Sequence, residues 1–265
     1  MIRPPNENLL RLKPLLRAAP VLATVLVCAG CTASQAATPE PAPSGAAHGQ
    51  ASFSTRTPAG PTTTAATPAP TSAAADQVVV IGDSLSTGYG TSPDTAWPAL
   101  LANTFKTGSH PLDMVNASVN GSGYVSAGDG GATFLSEVTG AVSRQTKVVL
   151  IFGSENDIGA DNNQLTKATA DTFAAVRANA PEAAIVVVGP PSYTDNPEPA
   201  RLQVRDQDRA AAQAAGVLYI DPIEEHWIMG NAQALIGPDG DHPSAEGQRY
   251  LGDKMEAILR SVLPS

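Results

Sequence analysis

Short apolar runs alternate with amphipathic segments along residues 76–265. The apolar runs are rich in β-favouring residues and lie at Val78–Ile81, Met114–Val115, Val148–Phe152, Ile185–Val188 and Val217–Ile220. Apolar positions with helical spacing separate them, at Trp97–Phe105, Ala132–Val142, Leu165–Ala178, Ala200–Ala214 and finally Ala245–Val262. Apolar runs without polar alternation are typical of strands buried on both faces. The pattern therefore predicts an α/β fold, a parallel sheet covered by helices on both faces.

The first apolar run ends in a turn that carries a hydroxyl group. Val78–Ile81 is followed directly by Gly82, Asp83 and Ser84. Ligands of open α/β sheets bind at the carboxyl ends of the strands, where this turn would emerge. Ser84 is thus a candidate nucleophile, provided that a base can reach it. The alternative interpretation is that the Asp-Ser pair only caps the next helix.

A candidate base lies near the end of the chain. Of the four histidines, only His242 sits among residues suited to orient it, since the others are His48, His110 and His226. Asp239 precedes His242 by three residues with Gly240 between them, which allows a tight turn that brings the carboxylate to the imidazole Nδ1–H.

Three alternatives to this assignment stay open. Asp241 is a rival orienting group, although the side chain of an adjacent residue usually points elsewhere. Asp, Gly and Pro also cluster in ordinary surface turns. A metal site of Asp239, Asp241 and His242 would lack a second cluster of spaced ligands.

Two further segments offer donors for an oxyanion. Asn116–Gly121 follows the second predicted strand, and Gly121 can bring a backbone N–H close to a substrate because no Cβ blocks the approach. Asn156 follows the third predicted strand and offers a side-chain amide. The alternatives are a plain glycine-rich loop and a turn asparagine.

Together these four segments resemble the sequence blocks of the GDSL-type, or SGNH, hydrolase family, across essentially all of residues 76–265. Gly82–Leu85 matches the first block completely, and Asn116–Gly121 is similar to the second block of the lysophospholipase/thioesterase branch. The fourth block, Asp-x-x-His-Pro, is met by Asp239–Pro243. The third block is usually Gly-x-Asn-Asp, whereas here Ser154–Asp157 has serine first and a glycine one place earlier.

The resemblance implies a flavodoxin-like three-layer α/β/α sandwich with five parallel strands. It also implies that Ser84 is the nucleophile, that His242 is the base and then the acid, and that Asp239 orients His242. The Ser84 and Gly121 N–H groups and the Asn156 side chain would form the oxyanion hole, and no cofactor or metal would be needed. Ser86 stands where a Gly-x-Ser-x-Gly elbow has glycine, which argues against the unrelated α/β-hydrolase fold.

Residues 1–31 have the order of a secretory signal peptide, with four basic residues and then an apolar stretch too short to span a bilayer comfortably. Val27–Cys31 resembles a bacterial lipobox in which Cys31 would carry the lipid, although Cys28 stands where leucine is usual. The alternative is ordinary cleavage after Ala33 or Ala36. We expect an exported protein, held at the cell membrane through this lipid or extracellular.

Residues 32–75 consist mainly of Ala, Thr, Pro, Ser and Gly, so we expect a disordered tether before a hydrolase domain at 76–265. Both cysteines precede that domain, which therefore has no disulfide and no thiol nucleophile. The chain has a formal net charge of −9, and four of its 16 basic but only one of its 25 acidic residues precede Cys31, which leaves −12. Such an acidic chain is a poor candidate for binding nucleic acid or anionic lipid by charge.

We expect a monomeric serine esterase that acts on a small ester or an acylated carbohydrate. The rivals are a polysaccharide or cell-wall O-acetylesterase, an acyltransferase, and a catalytically silent envelope-binding module. Four segments should rim the site and offer few large apolar side chains: Ser86–Thr95, Gly121–Gly131, Asp157–Asn163 and Ser192–Pro199. A long acyl chain needs a deep apolar trench, so these segments predict short acyl groups. The segment Pro222–Pro238, with His226 and Trp227, either forms an apolar wall over the site or packs against the core.

Overall fold

The structure is a computed structural model that describes residues 75–106 and 110–263. Its strands are β1 Asp76–Gly82, β2 Leu112–Asn116, β3 Thr146–Phe152, β4 Ala184–Val188 and β5 Leu218–Ile220. Its helices are α1 Ser84–Thr87, α2 Trp97–Lys106, α3 Phe134–Ala141, α4 Asn162–Asn179, α5 Pro199–Ala215, α6 Ala232–Leu235 and α7 Ala245–Val262. The predictions for the signal peptide, Cys31, His48 and the tether up to residue 74 lie outside the described residues.

The strands form one parallel sheet in the order β2-β1-β3-β4-β5. This arrangement confirms the predicted fold class, an α/β sandwich with a five-stranded flavodoxin-like sheet. The chain runs from β1 outward to β2 and then returns past β1 to β3, so the order reverses between β1 and β3. Ligands of such sheets bind at the carboxyl ends of the strands at this reversal. Within the part of the chain that the structure describes, no helix combines the length and the apolar character needed to cross a membrane.

Alternate residues of the strands face two separate cores. Val78 and Val80 of β1 pack into a cluster with Trp97 of α2 and Leu251 of α7. Val79 and Ile81 pack into the opposite cluster, together with side chains of α3, α4 and α5. Both faces of the sheet are therefore covered, which explains why the strands read as unbroken apolar runs.

Where predicted and observed boundaries differ, side-chain caps and edge positions account for the difference. Thr133 accepts a hydrogen bond from Ser136 N–H in a capping box, so α3 begins at Phe134 rather than Ala132. Asp161 caps α4, which therefore starts three residues before the predicted Leu165. The edge strand β2 is paired with β1 over five residues although few of them are fully buried, so hydrophobicity alone marks only its centre.

The segment Pro222–Pro238 packs against the core instead of covering the site. Trp227 is 1% exposed and Ile228 is also buried, and both belong to the cluster around Trp97. His226, which directly precedes them, is exposed at the surface and has a φ of 53°. The large side chains of Trp227 and Ile228 are therefore unavailable to bind a long acyl chain at the site.

Candidate active site

The candidate nucleophile lies in a tight turn at the carboxyl end of β1. β1 ends at Gly82, and α1 begins at Ser84. The Asp83 side chain caps this short helix, because its Oδ1 accepts a hydrogen bond from Leu85 N–H at 2.9 Å. Ser84 thus stands at the reversal point of the sheet, beside the end of β3. The helix-cap interpretation and the nucleophile interpretation are therefore compatible. Asp83 caps the helix, and Ser84 is free to face the cleft.

Ser84, His242 and Asp239 form a chain of hydrogen bonds. His242 Nε2 lies 3.0 Å from Ser84 Oγ, and His242 Nδ1 lies 2.8 Å from Asp239 Oδ2. The backbone N–H groups of His242 and Asp241 both donate to Asp239 Oδ1 at 3.1 Å. These two bonds, and then the bond from the imidazole, lower the pKa of Asp239 to about 2. The geometry therefore pairs His242 with an ionised Asp239.

Asp241 occupies a different place from Asp239. Its side chain is exposed and lines the cleft, and its backbone rather than its carboxylate contributes to the turn. Tyr89 packs against the other side of His242, with 4.4 Å between the ring centroids. His110 and His226 lie exposed at the surface and take no part in the cleft lining.

The three predicted oxyanion donors differ in whether they already donate a hydrogen bond to another group of the protein. The N–H groups of Ser84 and Gly121 donate no hydrogen bond within the described residues, and Gly121 has a φ of 75°. Asn156 Nδ2 donates to Ser122 O at 2.9 Å and approaches Asp83 Oδ2 at 3.4 Å. The second contact exceeds the usual 2.7–3.2 Å range of such bonds, so one N–H of Asn156 is only weakly engaged.

Ser84 and His242 line an open cleft of about 470 Å³. Its other polar lining residues are Asn120, Asp129, Glu155, Asn156 and Asp241. Tyr89 and Ala127 are the only residues that add apolar side chains to this lining. The cleft is therefore polar, shallow and rich in carboxylates.

Only some of the segments predicted to rim the site line the cleft in the structure. Gly121–Gly131 contributes to the lining as expected, whereas Asp157–Asn163 and Ser192–Pro199 do not. Tyr124 is buried against Phe134, with 4.9 Å between ring centroids, and Tyr193 donates to Glu155 at 2.7 Å. Hydrogen bonds and packing thus turn these side chains inward, and Tyr89 is the one tyrosine of the predicted rim that faces the cleft.

The sequence profile of the GDSL-like Lipase/Acylhydrolase family matches residues 80–250. This chain belongs to that family. GDSL lipase Rv0518 of Mycobacterium tuberculosis is 35% identical to it over 191 residues, which cover 70% of this chain and 82% of that protein. Esterase TesA of Pseudomonas aeruginosa is 28% identical over 194 residues, which cover 72% of this chain and 91% of that protein.

Comparison of folds agrees with this assignment. A crystal structure of TesA aligns with a TM-score of 0.59 at 23% identity, and the alignment covers 71% of this chain and 99% of that one. The likeness shows that the two chains share a fold. Family and fold together identify the chain as a serine hydrolase that acts on ester bonds.

The departure from the GDSL family's third block has a visible structural consequence. Ser154, which stands in place of the usual glycine, has a φ of 82°, in the left-handed region that favours glycine. For a residue with a Cβ this conformation costs roughly 1–2 kcal/mol. Ser154 Oγ donates to Asp157 Oδ2 at 3.1 Å, and this bond offsets part of that cost. The loop keeps a left-handed turn without the usual glycine.

Asp157 is a residue of this GDSL hydrolase whose role the sequence pattern did not reveal. Its carboxylate is buried and accepts hydrogen bonds from the N–H groups of Tyr124, Val125 and Ser126, at 2.7–2.9 Å. Gly123 lies so close that an added Cβ would be 2.6 Å from Asp157 Oδ1. These contacts hold the loop that follows Gly121. In the sequence, Asn156-Asp157 looks like an ordinary turn, and only the family block marks its second residue.

Among the described residues, no group of three or more His, Cys, Asp or Glu side chains is arranged to hold a metal ion. The turn with Asp239, Asp241 and His242 therefore does not provide such a group. The expectation that the chemistry needs no metal or cofactor stays a prediction, which a chelator can test.

Proposed function

We propose that this GDSL hydrolase cleaves carboxylic O-esters of short acyl chains, acetyl to about hexanoyl, through an acyl-Ser84 intermediate. The observation that carries the proposal is the pair of bonds made by His242, 3.0 Å to Ser84 Oγ and 2.8 Å to Asp239 Oδ2, at the edge of a polar cleft. The alcohol part is polar and includes acylated carbohydrates. No cofactor or metal takes part, so a chelator should leave the rate unchanged.

In the proposed mechanism, Ser84 Oγ attacks the ester carbonyl while His242 Nε2 takes the hydroxyl proton. Asp239, ionised throughout, keeps the Nδ1 proton in place and stabilises the imidazolium. His242 then gives the proton to the leaving alcohol, which leaves an acyl group on Ser84. Water attacks this acyl group with His242 again as the base, and the carboxylic acid and free Ser84 are regenerated.

The oxyanion of each tetrahedral intermediate would lie among three donors. The Ser84 and Gly121 N–H groups have no competing acceptor in the described residues. Asn156 supplies the third donor if its weak 3.4 Å contact with Asp83 gives way to the oxyanion. Donors held before the reaction stabilise developing charge without reorganisation, and each contributes about 3 kcal/mol.

The lining of the cleft supports the short acyl chain. Each CH₂ group buried in an apolar trench contributes roughly 0.8 kcal/mol, and the cleft offers only Tyr89 and Ala127 as apolar lining. Trp227 and Ile228, two large apolar residues of the segment Pro222–Pro238, lie in the core and form no wall over the site. One relative is named a lipase and another an esterase, so the names leave the acyl length open.

The acyl length is tested with p-nitrophenyl esters of two to twelve carbons. We expect kcat/KM to be highest between two and about six carbons and then to fall. If kcat/KM instead keeps climbing beyond about eight carbons, the short-chain proposal is wrong. The apolar depression lined by Tyr193, Ala232, Ile236 and Pro238 would then be the first place to search for an acyl site.

A polysaccharide or cell-wall O-acetylesterase is the second candidate. The openness and carboxylate-rich lining of the cleft favour it, because carboxylates accept hydrogen bonds from sugar hydroxyls. An acyltransferase would use the same acyl-enzyme with a second alcohol in place of water. Product analysis separates the two, since only transfer forms a new ester.

The place of action is proposed from the sequence alone. Export through the segment 1–31 and a lipid on Cys31 would hold the enzyme at the outer face of the cell membrane. Residues 32–75 would then space the hydrolase domain from the membrane. The enzyme would act there as a monomer and would have no nucleic-acid partner.

A further inference from the structure

Glu155 lies in the catalytic cleft next to Asn156, yet the mechanism above does not use it. It occupies the variable position of the family's third block, so the pattern of that block assigns it no role. Its side chain is only 9% exposed, although the residue lines the cleft. A charged side chain that is nine-tenths buried in the cleft that Ser84 also lines needs a physical explanation, because burying a charge is costly unless it is paired.

The two carboxylate oxygens of Glu155 differ in their hydrogen bonding. Oε2 accepts hydrogen bonds from Tyr193 Oη at 2.7 Å and from Arg201 Nη1 at 2.8 Å. Oε1 has no hydrogen-bond partner within the described residues, and it is not sealed from solvent either. The buried pairing with Arg201 accounts for the charge, and Oε1 is an acceptor still available to a ligand.

The neighbours of Glu155 hold this acceptor in place. Arg201 also donates to Pro191 O at 2.8 Å and to Glu198 Oε1 at 2.9 Å, and its guanidinium lies 5.1 Å from the centroid of the Tyr193 ring. These contacts leave the Glu155 side chain little freedom. An acceptor fixed before binding loses little entropy when a ligand arrives, so its hydrogen bond adds more to affinity.

The charge of the cleft restricts what this acceptor can bind. Asp129, Glu155 and Asp241 all line the cleft, and no lysine or arginine is among its lining residues. A carboxylate accepts hydrogen bonds but donates none, and like charges repel an anionic ligand. The complementary group is therefore a hydroxyl or an ammonium group.

We propose that Glu155 is a specificity-determining residue, whose free carboxylate oxygen accepts a hydrogen bond from a hydroxyl or ammonium group of the ester substrate. The cleft then selects esters with a donor close to the scissile bond and rejects esters that carry an anion there. This inference rests on the proposed esterase function and gives its polar alcohol a specific contact.

Three acetate esters of similar size test the inference on the whole enzyme. Ethyl acetate has no donor, 1-monoacetylglycerol has two hydroxyl groups, and acetoxyacetate has a carboxylate. Hydrolysis is followed by acid release, and kcat/KM is expressed relative to ethyl acetate. For the wild type we expect monoacetylglycerol to be preferred and acetoxyacetate to be the poorest substrate. The opposite order would overturn the proposal without the need for any variant.

The decisive variant is Glu155→Gln, which keeps the size of the side chain and removes its charge. A hydrogen bond to a charged group is strong enough that its loss should lower the preference for monoacetylglycerol about tenfold. Acetoxyacetate should become a relatively better substrate because one repelling charge is gone. Unchanged ratios in Glu155→Gln would overturn the role of Glu155.

Glu198→Gln is the matched control. Glu198 is also bonded to Arg201, but its side chain is 48% exposed and it does not line the cleft. If the Glu155 effect came only from a disturbed Arg201, Glu198→Gln would shift the same ratios, and the proposal would fail. We expect ratios like those of the wild type. A wild type that hydrolyses none of these esters, nor p-nitrophenyl acetate, would instead overturn the proposed function and this role with it.

Discussion

Glu137 Oε2, on helix α3, accepts a hydrogen bond from Gly82 N–H at 3.0 Å, and Gly82 ends the strand just before the turn that carries Ser84. Glu137 is buried, with only 6% of the residue exposed to solvent. Burial raises its pKa to about 7, even though hydrogen bonds, including that from Gly82, lower it. The last residue of β1 is thus tied to a carboxyl group that takes up a proton near neutral pH.

This pKa predicts how stability depends on pH. The folded protein binds the Glu137 proton more tightly than the unfolded chain, where the carboxyl has its ordinary pKa of 4.5. The contribution is therefore fully present below about pH 4.5 and is lost as the pH rises through about 7. The shift corresponds to roughly 3 kcal/mol of unfolding free energy. Urea unfolding at a series of pH values measures it.

Glu137→Gln is the variant that isolates this effect. Glutamine keeps the shape and an acceptor for Gly82 N–H but does not titrate. We expect the decrease in unfolding free energy between pH 4.5 and 7 to be smaller by about that amount in this variant. If wild type and variant show the same slope, the buried proton is not on Glu137.

The two aspartates of the last block should differ sharply in their effect on the rate. Asp239 contacts His242 Nδ1, whereas Asp241 contributes its backbone N–H to the turn. We expect Asp239→Asn to lower kcat roughly a hundredfold or more, because an amide holds the wrong imidazole tautomer. Asp241→Asn, the matched control, should cost far less. Similar losses in the two variants would show that the orienting group is misassigned.

The rate should also follow the protonation of the base. Histidine side chains ordinarily titrate near neutral pH, and only the neutral form of His242 can accept the Ser84 proton. We expect kcat/KM to rise through about pH 6 to 8. Asp239, with a pKa of about 2, stays ionised over this range and adds no second step.

The effect of Glu137 on the pH profile must be distinguished from that of His242, because the pKa of Glu137 is about 7 and lies within the pH range of the experiment. The profile is therefore repeated with Glu137→Gln, in which the rise should persist. A flat profile in a variant whose chemical step limits the rate would remove His242 from the role of base.

Much of the fold was predictable because it depends on local patterns. Buried strands such as Val148–Phe152 are continuous apolar runs, and the predicted last helix, Ala245–Val262, has the same bounds in the structure. The candidate site residues could be picked out from the sequence because a turn at a strand end marks Ser84 and a three-residue spacing links Asp239 to His242. What these residues do during catalysis stays a prediction.

The rest of the cleft depends on contacts between residues far apart in the chain. Glu155 is held by Arg201, 46 residues later, and nothing in the local sequence marks that pair. Asp157 faces inward because three N–H groups more than 30 residues earlier converge on it. The Tyr124 side chain is likewise buried because it packs against Phe134, and the glycine-rich sequence around Tyr124 does not indicate this contact.

The proposed membrane anchor is tested apart from the catalytic site. We expect the wild type to partition with membranes after cell fractionation and Cys31→Ser to be released, because the variant cannot carry the lipid. Mass spectrometry of the mature N-terminus checks the cleavage site. Soluble wild-type protein that starts beyond Cys31 would contradict the lipid anchor.

Covalent trapping of Ser84 tests the central proposal most directly. The enzyme is incubated with a short-chain alkyl phosphonate p-nitrophenyl ester, and the intact and digested protein are analysed by mass spectrometry. We expect one adduct per chain on the peptide that contains Ser84, none in Ser84→Ala, and labelling slowed at least a hundredfold in His242→Ala. An adduct on another residue, or equal labelling of wild type and Ser84→Ala, would contradict catalysis by Ser84.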